Sequence, residues 1–157
     1  MPGQTFVDQV DPLSGPTTDT FDPAPTLAFK IIIEGTTASG ETLTLGDVAD
    51  TITFQRNGQP FITESFRHFH EVMNLWYGDQ DTPTGNANVD ERVVAYVPFY
   101  QPELLQALNV QPDNLRYNIQ WNQATLNTRF GGSGVTATLE QITDPSLPRD
   151  LYTPYVE

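Results

Sequence analysis

Hydrophobic residues recur along this chain at two spacings, and the point where one gives way to the other organises the rest. From Thr51 to Arg56 the pattern alternates, with Ile52 and Phe54 on one side and Thr51, Thr53 and Gln55 on the other, which is the period of a half-buried strand. Asn57-Gly58 follows, and because both residues accept positive φ at little cost the pair predicts a tight hairpin turn. Beyond it Phe66, Phe69, Met73 and Trp76 recur at steps of three, four and three, with Ile62 four residues earlier and Val72 beside them, which predicts one apolar face of a helix. Thr63 is placed to cap its first turn, Glu64 puts negative charge at the positive end of the dipole, and Gly78 suits its end.

The remaining chain reads as short strands and extended ends. Residues Met1 to Pro25 hold five prolines and no hydrophobic period, so they are expected to form an extended N-terminal arm. Thr26 to Glu34 is a strand with Leu27, Phe29, Ile31 and Ile33 facing inward; Ile32 on the other side implies cover on both faces. A short strand is expected over Glu41 to Leu45, and a long loop over Asp79 to Glu91. Arg92 to Tyr100 returns to strand, with Pro98 restricting it to an edge or a strand end. Gln101 to Asn109 has the marks of a short helix opened by Pro102. Leu115, Tyr117, Ile119 and Trp121 alternate cleanly with polar residues, Thr125 to Phe130 is a weaker strand, and Val135, Ala137 and Leu139 mark the last one. Asp144 to Glu157, with three prolines and the aromatics Tyr152 and Tyr155, is a second extended arm. The fold class this predicts is all-β: an antiparallel jelly-roll β-sandwich over 26–143, with one inserted helix and a short second helix, between arms at 1–25 and 144–157.

Length and charge narrow the function. A chain of 157 residues makes one domain. It has no cysteine, which removes disulfides, thiolate chemistry and Cys-ligated zinc. No apolar run reaches membrane-spanning length and the N-terminus has neither a basic nor an apolar leader segment, so a soluble chain without an export signal is expected. The formal charge of −13, with Lys30 the only lysine, opposes direct contact with phosphate backbones or anionic lipid. Such acidity also suits a protein kept soluble in concentrated salt.

Candidate chemistry is thin. His68 and His70 form an H-x-H pair of the kind that cupins, also jelly rolls, use to hold a metal. They are the chain's two histidines, no carboxylate stands at the expected offset beyond Glu71, and on a helix residues two apart turn to opposite sides. Asp79 and Asp81, with Asn86, Asn88 and Asp90, could offer oxygens to calcium, but Pro83 and Gly85 depart from the EF-hand pattern and no Glu closes the loop. Satisfied structural histidines and a solvated loop are the readings taken, with no metal, no cofactor and no catalytic residue. Trp76, Tyr77 and Trp121 could stack on sugars, but Trp121 and Trp76 lie in phase with buried faces.

Two blocks carry a resemblance. FQRNGQPFITESFRHFHEVMNLW and AYVPFYQPELLQALNVQPDNLRYNIQWN together resemble the major capsid proteins of tailless icosahedral viruses with an internal membrane, whose jelly rolls stand upright in the shell. Many of those relatives carry two jelly rolls, and this chain has room for one, so it is similar to the single jelly-roll branch. The resemblance implies a structural virion protein, made in the host cytoplasm, that builds capsomers from several copies of itself or together with a second kind of capsid protein. It implies at most indirect apposition to the internal membrane, and no enzymatic activity. The residues it carries over are structural: the Asn57-Gly58 turn, the helix through Phe66, Phe69, Met73 and Trp76, and the Pro98 strand end. Arms that cannot order alone can lie along a neighbouring copy, which gives Tyr152 and Tyr155 a role in assembly. Two other classes are weighed against this reading, a receptor- or glycan-binding spike domain and a cupin-like metalloprotein.

Overall fold

The computed structural model describes residues 4–38, 48–77, 87–99, 108–109, 115–131 and 134–144. In chain order the elements are β1 (Gln4–Val10), β2 (Thr17–Thr20), β3 (Pro25–Thr36), β4 (Ala49–Arg56), β5 (Gln59–Glu64), α1 (Phe66–Tyr77), β6 (Asp90–Pro98), β7 (Leu108–Asn109), β8 (Leu115–Trp121), α2 (Gln123–Phe130) and β9 (Val135–Thr143). One sheet runs β1-β9-β3-β6, with β7 paired to the start of β3, and the other runs β2-β8-β4-β5. Every pairing is antiparallel. The chain crosses from one sheet to the other at each connection except the β4–β5 hairpin and the step from β6 to β7, and the first and last strands lie side by side. That winding is the jelly roll.

The hairpin turns at Asn57 (φ 49) and Gly58 (φ 80). Side chains of the two inner faces fill the sandwich. Phe29, Ile31 and Ile33 of β3, Ile52 and Phe54 of β4, Val93, Ala95 and Val97 of β6 and Leu115, Tyr117, Ile119 and Trp121 of β8 are all buried. On the outer face of β3, Ile32 and Val94 form a small separate cluster with Tyr96 against it, so β3 is covered on both sides.

Residues 4–25 are not an arm outside the barrel. β1 pairs along its whole length with β9, from Gln4↔Thr143 to Val10↔Ala137, and β2 pairs with β8. Between them and β3, Phe21 enters an aromatic core with Phe29, Phe54, Phe99 and Tyr117, at centroid distances of 5.2, 5.8, 6.5 and 5.4 Å. The expectation failed because a segment with one deeply buried aromatic has no period to read. What orders it is supplied from far along the chain. Buried Gln141 accepts from the Asp22 N–H at 2.8 Å and donates to the Asp22 carbonyl and the Thr26 hydroxyl, Trp121 donates to Thr17 Oγ1 at 2.9 Å, and Gln123 donates to the Pro12 carbonyl at 2.6 Å.

Three local expectations are also corrected. Thr125 to Phe130 is helix rather than strand: Asn122 caps α2 by accepting from the Thr125 N–H at 3.0 Å, and Gly131 ends it in the left-handed conformation at φ 68. The cap of α1 is Ser65, whose hydroxyl accepts from the His68 N–H at 3.2 Å; Thr63, Glu64 and Ile62 belong to β5. Leu108–Asn109, placed in a short helix, pair with β3, while 101–107 lie outside the described residues. So do the expected strand at 41–45 and the Asp79 to Asn86 stretch of the loop.

Candidate assembly surface

A sandwich of two sheets has two long sides where edge strands meet, and they differ here. The side formed by β5 and β6 is closed by α1. Phe66 and Phe69 enter the core from the helix, and His70 stacks on the Phe66 ring at 6.1 Å. The His70 Nδ1–H donates to the Val94 carbonyl of β6 at 2.8 Å. An edge carbonyl that would otherwise recruit another strand is thereby engaged from within the molecule. His68, two residues away, is exposed and sits edge-on to Phe69 at 5.5 Å. The two imidazoles do not converge, because residues two apart on a helix turn to nearly opposite sides. Among the described residues no cluster of His, Asp and Glu is suited to hold a metal, and Asp79 and Asp81 lie outside them.

On the opposite side β1 lies over β2. Asp8, Asp19 and Asp22 gather around Tyr117, whose phenol is held well above its ordinary range, first by burial and then by the Asp19, Asp8 and Asp22 carboxylates. The phenol therefore stays protonated at any physiological pH. Val7 of β1, at 55%, is the exposed large apolar side chain of the described residues.

At one end of the sandwich an open polar hollow of about 490 Å³ is lined by residues including Gln9, Glu34, Asp90, Arg92 and Thr136. Its charged groups have partners within the fold: Arg92 pairs with Glu34 at 3.2 Å, and Asp90 accepts from the Thr36 hydroxyl at 2.7 Å. Behind it the buried Arg129 of α2 meets buried Glu91 of β6 through a two-pronged pair, Nε to Oε2 at 2.8 Å and a second N–H to Oε1. Sequence reasoning missed this pair, since its members stand 38 residues apart and Thr125 to Phe130 was read as strand. The signals that could have placed Arg129 on a helix were Asn122 as cap and Gly131 as stop.

The remaining assembly residues fall as follows. Pro98 is the last residue of β6. Positions 73 and 76 lie on α1, but the side chains of Met73 and Trp76 are outside the described residues, as are Tyr152 and Tyr155. Trp121 is buried and donates its indole N–H to Thr17, which removes it as a sugar platform. No helix among the described residues is long and apolar enough to cross a membrane.

Solved structures share this arrangement of strands. A crystal structure of the STIV major capsid protein matches 90% of this chain at a TM-score of 0.59 and 11% identity. The atomic structure of Sulfolobus Turreted Icosahedral Virus matches 90% at a TM-score of 0.61 and 10% identity. A quasi-atomic model of the PBCV-1 virus capsid matches 91% at a TM-score of 0.53 and 9% identity. This chain spans less than half of each matched chain, 49%, 46% and 43% respectively. No protein-family model matches the sequence, and no curated protein does.

Proposed function

We propose that this protein is a structural capsid subunit, a jelly roll that builds an icosahedral viral shell through lateral contacts with copies of itself. The observation that carries the reading is the match of nine-tenths of the chain to the STIV major capsid protein, with the same two-sheet winding, at an identity too low for shared sequence to produce it. The chemistry of the molecule agrees with a non-enzymatic role: its buried charged pair and its buried histidine and glutamine all tie one element of the fold to another. Location in the virion follows from the reading, as does synthesis in the host cytoplasm.

The finer claims concern partners. A second capsid protein shares the capsomer, and the C-terminal arm beyond Asp144 is assigned to a neighbour. Any approach to an internal membrane is indirect, because a chain of charge −13 is repelled by anionic lipid unless cations or another protein stand between. Electron microscopy and light scattering of the purified protein over a wide concentration range test the central claim. Rings, lattices or defined oligomers are expected. A particle that stays monomeric at every concentration and salt overturns it.

A further inference from the structure

Among the described residues, the strands that end the two sheets, β1 and β6 in one and β2 and β5 in the other, are not equally able to accept a neighbour, and the β7 pairing to β3 is two residues long. β6 is covered by α1 and by His70 on the Val94 carbonyl. β5 contains Pro60, which has no N–H to give, and its register shifts between Phe54 and Gln55. Both devices blunt an edge against further pairing. β2 is four residues long. β1 has none of these protections: seven residues pair with β9 in unbroken register, with no proline, lysine or glycine and with Asp8 its one charge. Among the described residues no strand pairs with its other side. Every second residue of such a strand directs its N–H and C=O outward, which is a template for another strand.

We propose that β1 is a self-pairing edge, through which two copies of this chain join antiparallel about a two-fold axis at Val7. Val7 is the midpoint of Gln4–Val10, so this register overlaps all seven residues. Directly opposite residues share a face, and Val7 shares the outer face with Glu140 of β9. The axis therefore sets Val7 against Val7 of the second copy, covering the apolar side chain that a lone molecule leaves exposed. On the same face Thr5 meets Gln9. On the inner face Phe6 meets Asp8, so no like charges stand directly opposite, and the two Asp8 carboxylates lie on a diagonal at about 7–8 Å. The two β1-containing sheets become one continuous sheet.

The choice of a second copy as occupant rests on the capsid reading, and the strength of the contact fits it. A seven-residue edge is short of the roughly 1,000 Å² of a stable isolated interface, so the pair is weak alone and gains weight where each subunit is held by several neighbours. Two molecules of charge −13 repel, and the diagonal carboxylates add to that, so added salt strengthens the contact.

The chain lacks cysteine, which gives a direct test on the full-length protein. Val7→Cys, treated with a mild oxidant, is expected to form a covalent dimer, and Gln59→Cys on the exposed β5 edge to form none. By sedimentation velocity, the wild-type dimer fraction rises as salt goes from about 0.1 M to about 1 M, where the screening length falls from about 10 Å to about 3 Å. Val7→Lys weakens association about tenfold or more with an unchanged melting temperature at dilutions where both proteins are monomeric, and Asp8→Asn strengthens it and flattens its salt dependence. Equal cross-linking at positions 7 and 59, or association untouched by Val7→Lys in a protein that still forms rings or lattices, overturns the β1 edge and leaves the capsid reading standing. A wild-type chain that neither associates nor assembles removes the capsid reading itself.

Discussion

Replacing Glu91 by alanine strips the Arg129 guanidinium of a carboxylate that accepts two of its N–H groups. Arg129 is fully buried and Glu91 is 7% exposed, so water does not readily take the carboxylate's place. Breaking one side of such a pair costs about 3–5 kcal/mol, because the surviving charge stays in the interior without its counterpart. For a chain of this size about 1 kcal/mol moves the midpoint by about 2–4 °C, so Glu91→Ala should lower Tm by about 6–20 °C. Changing both residues, Glu91→Leu with Arg129→Met, leaves no charge behind and should recover most of the loss, since α2 still has Leu126 and Phe130 in the core. Thermal unfolding of wild type, both single variants and the double variant closes the cycle, at one protein and salt concentration because association also shifts Tm. A loss below about 1 kcal/mol for Glu91→Ala, the range of a solvated surface pair, would refute the reasoning. So would a double variant as damaged as the two singles added together.

Phe21→Ala should cost about 3–5 kcal/mol by opening a cavity among four aromatic rings, and removing residues 1–25 should abolish cooperative unfolding; a truncated chain with an unchanged transition would return that segment to the status of an arm. Tyr117 sets a sign at high pH: an unfolded chain loses the phenol proton near pH about 10 while the folded one keeps it, so stability is intact below that pH and falls as pH rises above it. Tyr117→Phe should flatten the fall in a series of melts from neutral to alkaline pH, and equal slopes would count against the burial and carboxylate account. His70→Ala removes both the donor to the Val94 carbonyl and the ring stacked on Phe66, at about 1–3 kcal/mol, and hydrogen exchange of the β6 amides should quicken. Unchanged exchange across β6 would mean that the edge is held by other contacts.

The sequence by itself determined those parts of the molecule whose physics is local and periodic. Alternation in Leu115 to Trp121 and in Thr51 to Arg56 marked β8 and β4, Asn57-Gly58 marked the turn between β4 and β5, and the three-and-four spacing from Phe66 marked α1. Many short strands with one helix inserted were enough for the jelly-roll class, because few windings bury that many half-apolar strands. Tertiary structure alone decided what has no period. Phe21 is one aromatic among aspartates and prolines, and the rings of Phe29, Phe54, Phe99 and Tyr117 around it, which no local pattern announces, help make its segment part of the barrel. Gln141, Trp121 and Gln123 reach back more than a hundred positions to hold that segment, a distance at which spacing carries no information. Arg129 and Glu91 find each other for the same reason: a buried charge is tolerable only beside its counterion, and which counterion that is depends on how the sheets stack. The exposure of Val7 is likewise a property of the sheet, since a strand is an edge only by virtue of what pairs beside it.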